Sequence, residues 1–149
     1  MAMSGPQVMF GYLVNPYNAT IKRVEIDRSA EFETITALID CRFLERFAID
    51  EIHDLWLNEY GWLDGARAAI DLKSYEGQLF AGSGVILAHN SAGERISPTL
   101  SIETFRAMID AVQPIMSAKF LSFPNVNLSM RDSIVSLTTH AQRVPLSIV

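Results

Sequence analysis

The order of its structure-forming segments constrains this chain most. Runs rich in strand formers follow one another through short turns, and only two stretches carry helical periodicity. Strands joined that closely pair as antiparallel neighbours, because a parallel pair needs a crossover of a dozen or more residues. The sequence therefore predicts an α+β domain, a mostly antiparallel β-sheet with two main helices packed on one face. A doubly wound parallel sheet would need more crossover helices than the periodicity supplies.

Val8-Met9-Phe10-Gly11-Tyr12-Leu13-Val14, the turn Asn15-Pro16-Tyr17-Asn18 and residues 20–26 read as a β-hairpin over 7–27. In its second arm Val24 and Ile26 share a face with Lys22, Arg23 and Glu25 face the other way, and Ile21 is out of phase. That is the pattern of an edge strand with one wet face. Ser29 is the expected N-cap of a helix over about 30–41, with Glu31 and Glu33 in its first turn. Phe32, Ile35, Leu38 and Ile39 form its apolar face. Residues 43–49 alternate as a third strand, 50–54 read as a polar connection, and 55–60 as a fourth strand. Ala66 to Ile70 fits one helical turn. The apolar run 84–89 reads as a buried strand closed by Asn90-Ser91-Ala92-Gly93. A second helix begins near Ser101, with Ile102, Phe105, Met108, Ile109 and Val112 as its stripe and Pro114 as its end or kink. One more strand is expected around 119–123 and a short amphipathic segment over 131–142.

The 149 residues suffice for one domain with a real core. We expect that core domain to occupy residues 1–116 and an apolar extension, 117–149, to pack on it or on a partner subunit. The extension holds four charged side chains, Lys119, Arg131, Asp132 and Arg143, which suits an oligomer or partner interface. Charged residues are 19% and apolar ones 49% of the chain, which excludes wholesale disorder. A net charge of −5 excludes non-specific binding to a nucleic-acid backbone. No apolar run is long enough to cross a bilayer, and MAMSGPQV has no basic-then-apolar leader, so a cytoplasmic protein is expected.

Chemistry leaves few marks. The single Cys41 cannot form an internal disulfide and reads as a structural thiol. His53, His89 and His140 lie far apart with no ligand spacing, so neither metal nor cofactor is expected. Ala81-Gly82-Ser83-Gly84 precedes a strand, not a helix, and suits a tight turn better than a phosphate loop. The carboxylates Asp50, Glu51, Asp54, Glu59 and Asp64 read as a solvated rim. No spacing suggests a nucleophile with its base and orienter, and we expect no enzyme. Candidate ligand-binding residues are Trp56, Tyr60 and Trp62, a stacking platform, together with Arg42 and Arg46 on one side of the third strand. Arg28, Arg67 or Arg95 would complete an anion pocket.

The stretch Leu55-Trp56-Leu57-Asn58-Glu59-Tyr60-Gly61-Trp62-Leu63 resembles a strand–turn signature of a domain-of-unknown-function family found in phages, plasmids and bacteria. Residues 79–87 are similar to that family's "apolar, x, Gly, x, Gly, apolar run". Residues 94–103 fit its step into a last helix. The resemblance covers about residues 7–112 and carries no catalytic residues. It implies an accessory protein of a mobile element, of the kind that blocks a host defence by binding a protein or by sequestering a nucleotide signal. Two functions follow as expectations. The first is a non-enzymatic protein that binds a host or phage protein, with self-association included. The alternative is a small-molecule binder or sponge for a nucleotide-like anion.

Overall fold

A computed structural model describes residues 7–73, 75, 78–120 and 134–149. In chain order its elements are β1 (Val8–Asn15), β2 (Thr20–Asp27), α1 (Glu31–Ile39), β3 (Leu44–Ala48), β4 (His53–Asn58), β5 (Ala69–Leu72) and β6 (Leu79–Ala81). Then come β7 (Gly84–His89), β8 (Arg95–Ile96), α2 (Ile102–Met108), β9 (Ile109–Phe120), β10 (Ile134–Pro145) and β11 (Ser147–Ile148). Among the described residues strand far outweighs helix, so sheet dominates the α+β fold. One sheet runs β11-β2-β1-β7-β4-β3, with β8 beside β7; the other runs β10-β9-β5-β6. Every pairing is antiparallel except that of β11 with β2.

The hairpin forms as expected, with eight rows from Val8↔Asp27 to Asn15↔Thr20. Asn15 Oδ1 accepts from the Tyr17 N–H at 2.9 Å and tightens the turn. β2 is not an edge: β11 pairs with it, and Ile21 is wholly buried. The chain enters α1 through a 3-10 turn, Arg28–Ala30, whose cap is Asp27. The Asp27 carboxylate takes both the N–H and the hydroxyl of Ser29, at 2.9 and 2.7 Å, so the expected cap residue is itself capped. Asp40, in the left-handed conformation, closes the helix.

The core has two parts. Tyr12, Val14, Ile21, Leu55, Leu57 and Ile86 of the larger sheet meet Ile70, Leu72, Phe80, Ile109 and Ala111 of the smaller one. Met9, Ile26, Val85 and Leu87 form the second cluster, with Ile35 and Ile39 of α1. Side chains alternate along β1 and β7, so these clusters occupy opposite faces of the larger sheet. The helices are divided accordingly: α1 covers one face, whereas Phe105 of α2 belongs to the cluster between the sheets. A single helical layer was expected from two similar amphipathic stripes. A stripe reports that a helix buries one side, not which sheet face receives it.

Three further expectations give way. Ala66 to Ile70 is no helical turn: Ala69 and Ile70 begin β5, which lies between β6 and β9. The helical stripe stops at Met108, and Ile109 and Val112 continue it by coincidence as strand residues. Pro114 lies inside β9, two residues past Val112, where pairing with β5 ends. Its missing N–H therefore need not serve that neighbour. Of the expected strand at 119–123, residues 119 and 120 end β9 and the rest lie outside the described residues, as do 1–6 and 131–133. A boundary at 116/117 falls within β9. Downstream, Val144 packs on the core, Leu146 is 1% exposed within it, and Ser147 and Ile148 pair with Thr20 and Ile21.

Candidate functional site: an acidic cleft around an aromatic loop

The turn between β4 and β5 is tightly built. Gly61 N–H donates to the Asn58 carbonyl at 3.1 Å, Asp64 N–H to that of Tyr60 at 2.7 Å and Ala66 N–H to that of Gly61 at 3.0 Å. Asn58 Oδ1 accepts from the Tyr60 N–H at 3.0 Å, and its amide donates to Asp64 Oδ2 at 2.9 Å. Gly61 lies so close to β6 that a Cβ there would meet the Cβ and carbonyl oxygen of Ala81, both at 2.9 Å. A rigid loop thus holds its large side chains outward. Tyr60 is 43% exposed, Trp62 59% and Leu63 84%, and Phe43, at 55%, stacks edge-on against Tyr60 with ring centres 5.7 Å apart. Four large apolar side chains thus stand in water on and beside this loop, more than the singly scattered residues of an ordinary surface.

Three cavities surround this loop. The largest, about 500 Å³, is lined by Asp40, Cys41, Arg42, Phe43, Asn58, Tyr60 and Asp64. A second, about 380 Å³, shares Asp40, Asn58 and Asp64 with it and reaches Tyr17 and the Ala81-Gly82-Ser83 turn. A third, about 170 Å³, lies between the outer strands β3 and β6 and adds Glu45 and Glu59. Asp40 and Asp64 line the two larger cavities, with Arg42 in the largest, and Glu45 and Glu59 line the third. Among the described residues none of these five is held in an ion pair. Cys41 sits in the same wall. Burial pushes its thiol up, the charges of Asp40 and Asp64 push it further, and the Phe43 backbone offsets only part of this. That is the reverse of nucleophilic activation.

The five candidate residues do not converge. Arg42 and Tyr60 line the largest cavity. Trp62 lies at the loop tip, beside a mostly apolar groove of about 330 Å³ with Arg67, Leu79, Val112, Pro114 and His140. Arg46 and Trp56 face each other across β3 and β4. Arg95 lies over Trp56, its guanidinium carbon 5.4 Å from the ring centre, and pairs with Glu31 at 3.2 Å. Arg46 and Arg95 thus both adjoin Trp56, while Arg42 and Arg67 line separate cavities.

Two buried polar pairs escaped the sequence, because 50–54 read as a connection while His53 and Asp54 are inner residues of β4. His53 is fully buried. Its Nε2 accepts from the Thr99 N–H at 3.1 Å, which leaves Nδ1 to carry the proton and donate to Asp50 at 3.0 Å. Asp54, on the opposite face, receives His89 Nδ1 at 2.7 Å. A carboxylate orienting a partly exposed imidazole is the beginning of a proton-transfer device. Among the described residues, however, no hydrogen bond reaches His89 Nε2. The Asp54–His89 pair spans 35 residues and the His53–Thr99 bond 46, so no local motif could announce them, whereas Asp50 lies three residues from His53.

No group of three or more His, Cys, Asp or Glu side chains suited to a metal ion occurs among the described residues, and among them no helix is long and apolar enough to cross a membrane. No family model and no solved structure matches the chain. The chain is similar to the uncharacterised protein y4iR of Sinorhizobium fredii (strain NBRC 101917 / NGR234). The two are 25% identical over 111 residues, which are 74% of this chain and 68% of that protein.

Proposed function

We propose that this is a non-enzymatic protein that acts in the cytoplasm by binding another protein through its aromatic end. The setting we assign is that of a phage or mobile-element accessory protein, with counter-defence as its role. One observation carries the binding reading: Tyr60, Trp62 and Leu63 stand exposed on a loop fixed by Gly61 and Asn58, and the exposed Phe43, just before β3, stacks against Tyr60. Rigid aromatic side chains lose little entropy on binding, and they dominate the energetic centres of protein interfaces. The alternative, a sponge for a nucleotide-like anion, finds less support, since the cavities carry four carboxylates to one guanidinium.

The test is a photo-crosslinking residue at position 63, with one at the exposed Val8 as control. In the producing cells the first should give one discrete crosslinked species that Trp62→Ser abolishes. Crosslinking that is equal from both positions, or unaffected by Trp62→Ser, would refute the placement. The mass of the product distinguishes self-association from a second protein.

A further inference from the structure

We infer that the segment bound at this end is a positively charged apolar peptide stretch, and that one of its Lys or Arg side chains enters the cleft between Asp40 and Asp64. The inference rests on the protein-binding reading and adds the chemistry of the occupant.

Charge selects the sign. Asp40 and Asp64 line both larger cavities against Arg42 alone, Glu45 and Glu59 line the third, and none of these carboxylates is neutralised within the described residues. An incoming cation breaks no existing ion pair, and walls of low dielectric concentrate the field of like charges in a cleft. Asn58 holds Oδ2 of Asp64 and, among the described residues, no donor meets Oδ1, so one oxygen is fixed and the other is open to a guest.

Shape and surroundings select the kind of cation. Phe43 and Tyr60 flank the largest cavity, beside Asp40 and Asp64. A small ion would leave those rings wet. A Lys or Arg side chain lays its apolar stem against such rings and presents its charge to the carboxylates beyond. Trp62 and Leu63, exposed between Tyr60 and Asp64 on the same loop, then call for apolar neighbours on the same segment. A phosphate backbone or an anionic lipid surface would meet repulsion here.

The experiment uses the full chain and three labelled eight-residue peptides, alternating Leu with Lys, with Glu or with Ser, followed by fluorescence anisotropy at low and moderate salt. The Leu–Lys peptide should bind at least about tenfold tighter than the Leu–Glu peptide. The double variant Asp40→Asn, Asp64→Asn should remove about tenfold of that affinity and most of its salt dependence, and leave the Leu–Ser peptide unchanged. These carboxylates are exposed, and circular dichroism verifies that the variant keeps its fold. Equal binding of Lys and Glu peptides, or a Lys peptide indifferent to the double variant, overturns the cationic inference. If Trp62→Ser still weakens both peptides in that case, the aromatic docking reading survives without it. If no peptide binds, the cationic inference falls, and the crosslinking result decides the docking reading independently.

Discussion

Gly61→Ala is the sharpest perturbation of the aromatic loop, because the obstacle is backbone. Gly61 has no unusual φ, so the substitution carries no left-handed penalty. Its cost is steric. The new Cβ would stand 2.9 Å from both the Cβ and the carbonyl oxygen of Ala81. Ordinary carbon contacts begin near 3.5 Å, so the loop and β6 must part by about half an ångström. Overpacking of this kind costs about 1–3 kcal/mol. We expect a loss in that range in urea unfolding followed by tryptophan emission, with the denaturant slope unchanged. Ala81→Gly in the same background removes one of the two obstructing atoms, so a double-mutant cycle should show partial rescue, a coupling of about 0.5–1 kcal/mol. Because Tyr60 and Trp62 flank Gly61, peptide affinity should fall with stability. Wild-type stability for Gly61→Ala, or strict additivity of the two substitutions, would refute the close packing of loop and strand.

Asp50 gives a pH signature. Burial pushes its carboxyl up, but the N–H groups of Ile52 and His53 and the His53 ring outweigh this and hold it below the usual value. A depressed folded-state value stabilises above the unfolded carboxylate range and is lost as pH falls through it. Wild type should thus exceed Asp50→Asn in stability near pH 6, with the gap closing below about pH 4; a gap constant with pH would contradict this. Cys41 reports the field of the cleft: Asp64→Asn should speed its alkylation by iodoacetamide at pH 8, and equal rates would show that the charge does not reach the thiol. Leu146→Ala should cost about 2–5 kcal/mol by thermal or chemical unfolding, as for a core leucine; a near-neutral result would make the C-terminal stretch a separable extension.

What the chain disclosed in advance was local. The hairpin of β1 and β2, α1, β3, the buried β7 and the helix start near Ser101 each rest on a few adjacent residues that agree with one another. The failures share the opposite cause. Ala68 and Ala69 favour helix when isolated, yet β6 and β9 on either side make Ala69 a strand residue. His53 and Asp54 looked wet because Thr99 and His89, which bond them across the fold, are remote in sequence, although Asp50 is near His53. The candidate site was legible in part. Tyr60 and Trp62 do lie on its loop and Arg42 does line its wall. The acids taken for a solvated rim contribute Glu59 and Asp64 to it, and Asp40 and Glu45 join them only through the fold.

The strand β7 also carries a lesson for how such sequences drift. Val85 and Leu87 pack with Ile35 and Ile39, while Ile86 between them packs with Ile70 and Phe105. Adjacent positions therefore answer to different partners. Among homologues, size changes at 85 and 87 should be compensated in α1, and those at 86 in the smaller sheet, so that one six-residue strand records two independent histories of substitution.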